Sequence, residues 1–332
     1  MGEVILETVG HHETAKEFDK VLKFTDLLKN KHPKLYAKYF QYFDDFLVNY
    51  HCFNQNQADA EKAFSNFYSK PIQDYDKFLI VLKKLLFCHY IEIVDKTIGD
   101  NYIKVKKSNK LIEGAEFDPA LYKYYINLET FYRKAEINKG FDHNKFVQSV
   151  EKYDFIIQDE FLSTIDKGLF GSNVIDSESI RQFIQDRGQF LLAIQNQFII
   201  YMDAMKFRFV LCGTLWDSMM KFWETQSTKE KQNPDEYFRL DINLFEKHLV
   251  KSTGDFFTQD TSEMIAMLWG SAYIYDFLLS IGLINRATYD SYKKTSNILK
   301  GKAIAQYTCD LWKSDFVHQW TKPDGIAENE FI

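Results

Sequence analysis

Two charged side chains lie among apolar residues, at positions where an amphipathic helix would bury them. Between residues 180 and 223 the apolar residues follow helical spacing, which predicts a long helix, and Arg187 falls in that stripe, four residues after Phe183. Asp276 interrupts the otherwise almost wholly apolar run from 264 to 284. Because a buried charge without a partner is very costly, each residue needs an opposite charge, a bound ligand or a path to water.

Arg187 and Asp276 are therefore the candidate ligand-binding residues, with the guanidinium holding an anionic ligand. The alternative is structural: Arg187 pairs within the protein or lies at the edge of its stripe, and Asp276 finds a partner or becomes protonated. In both cases we expect the two side chains to lie near each other or to share a bridging partner. No residue is predicted to be catalytic.

Two other groups have residue types that could bind metals. The pairs His51-Cys52 and Cys88-His89 lie on neighbouring predicted helices, but adjacent helical residues point about 100° apart and cannot easily supply two ligands to one ion. The pair at 44–45 (Asp-Asp) begins an aspartate-rich magnesium motif, but Leu and Val follow instead of a third acid. We predict packed core residues at the first sites, a solvated helix face at the second, and no metal.

Motifs for common cofactors and nucleophiles are missing from the sequence. It has no GxGxxG or GxxxxGK[ST] phosphate loop, no GxSxG nucleophile turn and no Glu-x-x-His pair for a di-iron bundle. We expect no cofactor, and we expect a non-enzyme more than an enzyme.

The composition excludes some partners and compartments. The net charge is −6, and only six residues are Arg, none of them before Arg133, which argues against nucleic acid as a partner. The four cysteines are far apart in sequence, and the first residues show no signal-peptide pattern. These features predict reduced cysteines and a cytoplasmic protein.

Helical periodicity extends over almost the whole chain. From 35 to 50 the large apolar residues recur at intervals of three and four, and the chain has only 5 Pro and 14 Gly. His32-Pro33 and Asn233-Pro234 mark helix boundaries, and the short segment 102–106 is interpreted as a helix end rather than a strand. With boundaries roughly 40–50 residues apart, the sequence predicts an all-α fold of stacked antiparallel helical hairpins, for which solenoid-like repeats are one arrangement.

Two polar stretches, 168–179 and 225–236, are candidate linkers, and all five Trp follow the first of them. We therefore expect an N-terminal helical subdomain at 1–172, a C-terminal one with long apolar helices at 173–320, and a flexible tail at 321–332. The apolar run 264–284 is long enough for a membrane span, but Asp276 in its middle favours a central helix buried on all sides. Membrane association is not expected.

The sequence thus favours a non-enzymatic α-helical interaction or scaffold protein that binds a partner protein or peptide on a concave aromatic face. The alternative is an all-α enzyme or small-ligand binder whose pocket lies near Arg187 and Asp276.

Overall fold

Helix is the only regular secondary structure in the residues that the structure describes. A computed structural model describes residues 2–15, 17–68, 75–88, 90, 92–96, 119–171, 175–226, 233–252, 261–306, 320, 322–323 and 326. The helices contain well over half of the 332 residues, which confirms the all-α prediction.

The helices are numbered here in chain order, and a short helical segment at 92–96 is left unnumbered. Their bounds are α1 Gly2–Thr14, α2 Phe18–Lys31, α3 Pro33–Phe53, α4 Gln57–Tyr68, α5 Tyr75–Phe87, α6 Pro119–Asn138, α7 His143–Glu151, α8 Asp159–Phe170, α9 Ser177–Gln185, α10 Arg187–Ala204, α11 Phe209–Gln226, α12 Pro234–Tyr237, α13 Ile242–Ser252, α14 Thr261–Ser280 and α15 Arg286–Gln306.

The chain divides into two compact units. The first contains Met1–Phe117, Gly254–Glu263 and Ala303–Gln319, and the second contains Asp118–Thr253, Met264–Lys302 and Trp320–Ile332. The boundary that the sequence suggests near residue 172 lies within the second unit.

In the first unit, α3 packs against α2, α4 and α5, and α1 packs against α2. The apolar stripe of α3 is buried as its spacing predicts, with Phe40, Phe43 and Phe46 all nearly inaccessible. The boundary at His32-Pro33 is confirmed, since α2 ends at Lys31 and α3 begins at Pro33.

In the second unit, α10 packs against α8, α9 and α11, and α11 also packs against α6 and α13. The predicted boundary at Asn233-Pro234 is confirmed, because the side chain of Asn233 caps α12 by accepting a hydrogen bond from the backbone N–H of Glu236.

The stripe between residues 180 and 223 was expected to form one long helix, and this is wrong. The chain there forms α9, α10 and α11. Asp186 separates the first two, because its side chain caps α10 by accepting from the backbone N–H of Gln189. Lys206, with φ of 66°, lies in the left-handed region between the next two and ends the helical path.

The apolar run at 264–284 forms most of α14, and residues 264–278 are buried, with Asp276 partly exposed. The prediction of a central helix buried on all sides is confirmed. The helix stops at Ser280, before the run ends, and Gly282 turns the chain with φ of 74°. Among the described residues, no helix is both long and apolar enough to span a membrane.

The predicted linkers are shorter than their polar sequences suggest. In the first, residues 168–170 belong to α8 and residues 177–179 to α9. In the second, the residues at the two ends belong to α11 and α12. The predictions for segment 102–106, and for most of the tail at 321–332, lie outside the described residues.

Candidate functional site

Arg187 is the first residue of α10 rather than a residue inside a long helix. Its guanidinium lies over two aromatic rings, with the central carbon 4.4 Å from the ring centre of Tyr237 and 5.2 Å from that of Phe183. Stacking of this kind stabilises a partly buried cation while one side of the guanidinium can still reach water. Burial raises the pKa of Tyr237 to about 12, and Arg187 opposes that rise.

Asp276 holds three helices of the second unit together. The hydroxyl of Tyr201 on α10 donates to one carboxylate oxygen at 2.7 Å, and that of Tyr289 on α15 donates to the other at 3.0 Å. Burial, followed by the nearby Asp276 carboxylate, raises the pKa of Tyr289. Both oxygens of this half-buried acid therefore have a hydrogen-bond donor within the protein.

The guanidinium of Arg187 stacks on the rings of Phe183 and Tyr237, and the carboxylate of Asp276 accepts the hydroxyls of Tyr201 and Tyr289. A bridging partner between Arg187 and Asp276 stays a prediction.

A polar cluster that the sequence did not indicate joins α6, α10 and α11. The hydroxyl of Tyr125 donates to one carboxylate oxygen of Asp217 at 2.7 Å, and the amide nitrogen of Gln195 donates to the other at 3.0 Å. The same amide also donates to the Tyr125 hydroxyl. The ring of Tyr125 lies directly over Gly213, where an added Cβ would stand 2.3 Å from the ring, so only glycine leaves room for this arrangement.

This cluster has an electrostatic property that catalytic and regulatory carboxylates often share. Burial raises the pKa of Asp217 to about 6, although the hydrogen bonds from Tyr125 and Gln195 and the charge of Lys221 act in the opposite direction. A carboxyl group of this kind can exchange a proton close to neutral pH. Hydrogen-bond networks that only stabilise a fold perturb pKa values in the same way. Because the described partners of Asp217 are residues of this protein, its raised pKa does not by itself indicate a bound ligand.

Asp217 could have been found by the argument that identified Asp276. It is the sole acid within a strongly apolar stretch of α11, directly after Trp216. Tyr125 and Gln195 carry no comparable signal, because single polar residues are common on helices of this composition.

The prediction that Asp44 lies on a solvated helix face is wrong. Asp44 is only 1% exposed, accepts a hydrogen bond from the hydroxyl of Tyr36 and lies 3.7 Å from the ammonium nitrogen of Lys29 on α2. The packing of α2 on α3 covers this face, and Lys29 brings a compensating charge to it. Burial, followed by the Asp44 hydrogen bond, raises the pKa of Tyr36.

In the two His/Cys pairs, both cysteines are buried, and burial, followed by the influence of Cys52, raises the pKa of the Cys88 thiol. The ring of His51 is half-buried, and this burial lowers its pKa while Asp59 opposes the change. In the described part of the chain, no group of three or more His, Cys, Asp or Glu residues is placed to hold a metal ion.

Comparison with known proteins adds no family to these observations. No family model, no curated protein sequence and no solved structure matches this chain.

Proposed function

We propose that this chain is a non-enzymatic α-helical interaction protein that binds a partner protein through the exposed apolar face of α9. The observation that carries the proposal is the pair Ile180 and Ile184, each 38% exposed and one helical turn apart. Phe183 is the buried residue of this nine-residue helix and anchors it to the second unit. Helix α9 therefore buries the ring of Phe183 and leaves two large aliphatic side chains partly exposed.

The spacing of this pair separates it from ordinary surface residues. Single exposed apolar side chains are normal on proteins and need no explanation. Among the described large apolar residues that are exposed, Ile180 and Ile184 are the pair at i and i+4 on one helix. Leu244 and Val250 also share a helix, but they are six positions apart and point in different directions.

The geometry also indicates what kind of partner would fit. Aliphatic side chains at i and i+4 on a helix are the anchors that enter an apolar groove when a helix binds its partner. Because α9 provides the anchors, the partner must provide the groove.

The acids of the core support a binding role over a catalytic one. Asp44, Asp217 and Asp276 each have hydrogen-bond donors within the protein. The alternative function, a ligand site or enzyme at Arg187 and Asp276, has less support, because both oxygens of Asp276 already accept tyrosine hydroxyls.

Two further expectations belong to the same proposal. Stacked antiparallel hairpins are the arrangement we propose, and the contacts of consecutive helices from α1 to α4 support it. We also propose a cytoplasmic location, which is supported by the free, buried thiols of Cys52, Cys88 and Cys212.

The test is selective loss of partners from cells that express the full chain with a tag. The variant Ile180→Glu/Ile184→Glu places two charges on the proposed face, and quantitative mass spectrometry compares its co-purifying proteins with those of the unchanged chain. We expect at least one partner to fall by about tenfold or more, a change of about 1.4 kcal/mol in binding free energy.

The matched control is Leu244→Glu/Ile298→Glu, which replaces two apolar residues of the same unit that are each 45% exposed but not adjacent on one helix. It should keep the partner. An equal loss in both variants, or no loss in either, would contradict the proposal. Both variants should unfold within about 0.5 kcal/mol of the unchanged chain, because all four positions are at the surface.

A further inference from the structure

Helix α9, which carries the proposed docking face, is attached to the second unit through a small group of aromatic rings. Its buried residue is Phe183, whose ring centre lies 5.5 Å from that of Phe190 on α10. The same ring lies 5.4 Å from that of Tyr237 and 5.9 Å from that of Phe238. A helix of nine residues is not stable in water by itself, so these contacts must hold α9 in place.

Arg187 follows α9 after a single residue and belongs to the next helix. Asp186 ends α9, where its backbone N–H donates to the carbonyl of Gln182 at 2.8 Å, and its side chain caps α10. The backbone of Arg187, as the first residue of α10, is therefore fixed by that cap.

The guanidinium of Arg187 joins three helices of the second unit. It extends from α10 and lies over the ring of Phe183 from α9 and over the ring of Tyr237, the last residue of α12. The two rings also meet edge to face, with their planes 75° apart. Aromatic faces attract a cation, and the rigid plane of the guanidinium loses little freedom when it stacks on them.

We propose that Arg187 is the positioning residue that keeps α9 attached and presents Ile180 and Ile184 to the partner. The inference rests on the proposed function for its effect on binding, whereas its effect on α9 can be measured in the free chain. Without the guanidinium, α9 retains one buried ring, and we expect it to be detached in a large fraction of the chains. A partner that requires the attached helix then binds with an affinity reduced to the fraction that remains attached.

Hydrogen exchange of the full chain without a partner, measured by mass spectrometry, tests the position of α9. In Arg187→Ala, the amides of α9 should exchange about tenfold faster or more, while those of α6 and α14 keep their rates. Arg187→Lys keeps the charge but not the planar group, so exchange in α9 should be intermediate. Recovery of the partner should fall about threefold in Arg187→Ala if about two thirds of the chains have α9 detached.

Arg286→Ala is the matched control, because the guanidinium of Arg286 lies over a ring of its own helix, with its central carbon 5.3 Å from the ring centre of Tyr289. This variant should change neither the exchange of α9 nor the recovery of the partner. Unchanged exchange of α9 in Arg187→Ala would overturn the proposal. Faster exchange of all helices together would also overturn it, because Arg187 would then contribute only to the stability of the whole unit.

A comparison with Ile180→Glu/Ile184→Glu separates this inference from the proposed function. If α9 exchanges faster in Arg187→Ala but the partner is lost only in the double variant, binding does not require Arg187 and the inference is wrong. If the double variant also keeps the partner, the proposed function is wrong, and faster exchange in α9 alone still supports the positioning role of Arg187.

Discussion

Asp44 and Asp217 are both acids on apolar helices, but the protein accommodates their charges differently. Asp44, in the first unit, has the ammonium group of Lys29 within 3.7 Å in addition to the hydroxyl of Tyr36. Asp217, in the second unit, has two neutral donors, and the exposed Lys221 makes the smallest contribution to its pKa. The comparison shows that two neutral donors do not offset the cost of burying the carboxylate of Asp217, whereas Asp44 also has a cation beside it.

The largest effect should follow from removing the compensated charge. Asp44→Ala leaves a buried tyrosine hydroxyl and a partly buried ammonium without their shared acid, so we expect the free energy of unfolding to fall by about 3–5 kcal/mol. Urea unfolding at pH 7 measures it. Asp45→Ala is the matched control, because Asp45 is half-buried and the hydrogen bond that it accepts from Asn49 is long, at 3.3 Å. If Asp44→Ala lowered the free energy of unfolding no more than Asp45→Ala does, the burial of Asp44 would not be evidence that it stabilises the fold.

The next effect is a pH dependence that belongs to Asp217. Because its native pKa is raised from 3.8 to about 6, the native state binds the proton more tightly than the unfolded chain does. Its stabilising contribution is fully present below about pH 4 and is lost as the pH rises through about 6. The total loss should be about 3 kcal/mol.

Urea unfolding of the unchanged chain and of Asp217→Asn from pH 4 to pH 7 tests this dependence. The variant cannot titrate at this position, so the difference between the two stability curves should change by most of that amount over this range. Parallel curves would mean that Asp217 does not titrate in this range in the native state.

A smaller effect should follow from removing one donor to Asp217. Tyr125→Phe removes a hydrogen bond that favours the ionised acid, so the native pKa of Asp217 should rise further and stability at pH 7 should fall by about 1 kcal/mol. Tyr124→Phe is the control, because the buried hydroxyl of Tyr124 has no hydrogen-bond partner among the described residues. Equal losses at the two tyrosines would contradict the assignment.

The smallest effect concerns Arg187 and Asp276. Both oxygens of Asp276 already accept tyrosine hydroxyls, and Arg187 stacks on aromatic rings, so a double-mutant cycle of Arg187→Leu and Asp276→Asn should give a coupling free energy below about 0.5 kcal/mol. A coupling of about 1 kcal/mol or more would restore the bridging partner that the sequence suggests.

The periodicity of the sequence was enough to predict the helices and many of their ends. The boundaries at His32-Pro33 and Asn233-Pro234 follow from local chemistry, because each helix begins with a proline and Asn233 adds a capping side chain. Both boundaries were confirmed. The run at 264–284 is apolar on every side, and a helix of this kind must be covered on every side.

The candidate sites were less predictable, because they depend on which helix covers which face. Nothing local indicates that α2 covers Asp44 and brings Lys29 to it. The break at Asp186 was missed because the apolar stripe continues through it, while the capping side chain ends the helix. The Asp217 cluster needs residues of three helices, and their proximity is a tertiary property.

One measurement tests most directly whether the core acids serve the fold while α9 serves binding. Partner recovery and urea unfolding are measured in parallel for Ile180→Glu/Ile184→Glu and for Asp217→Asn. We expect recovery of the partner by the α9 variant to fall about tenfold at unchanged stability, whereas Asp217→Asn should keep the partner and change only the pH dependence of unfolding. Loss of the partner in Asp217→Asn, with full binding by the α9 variant, would contradict this expectation and place the function at the buried cluster.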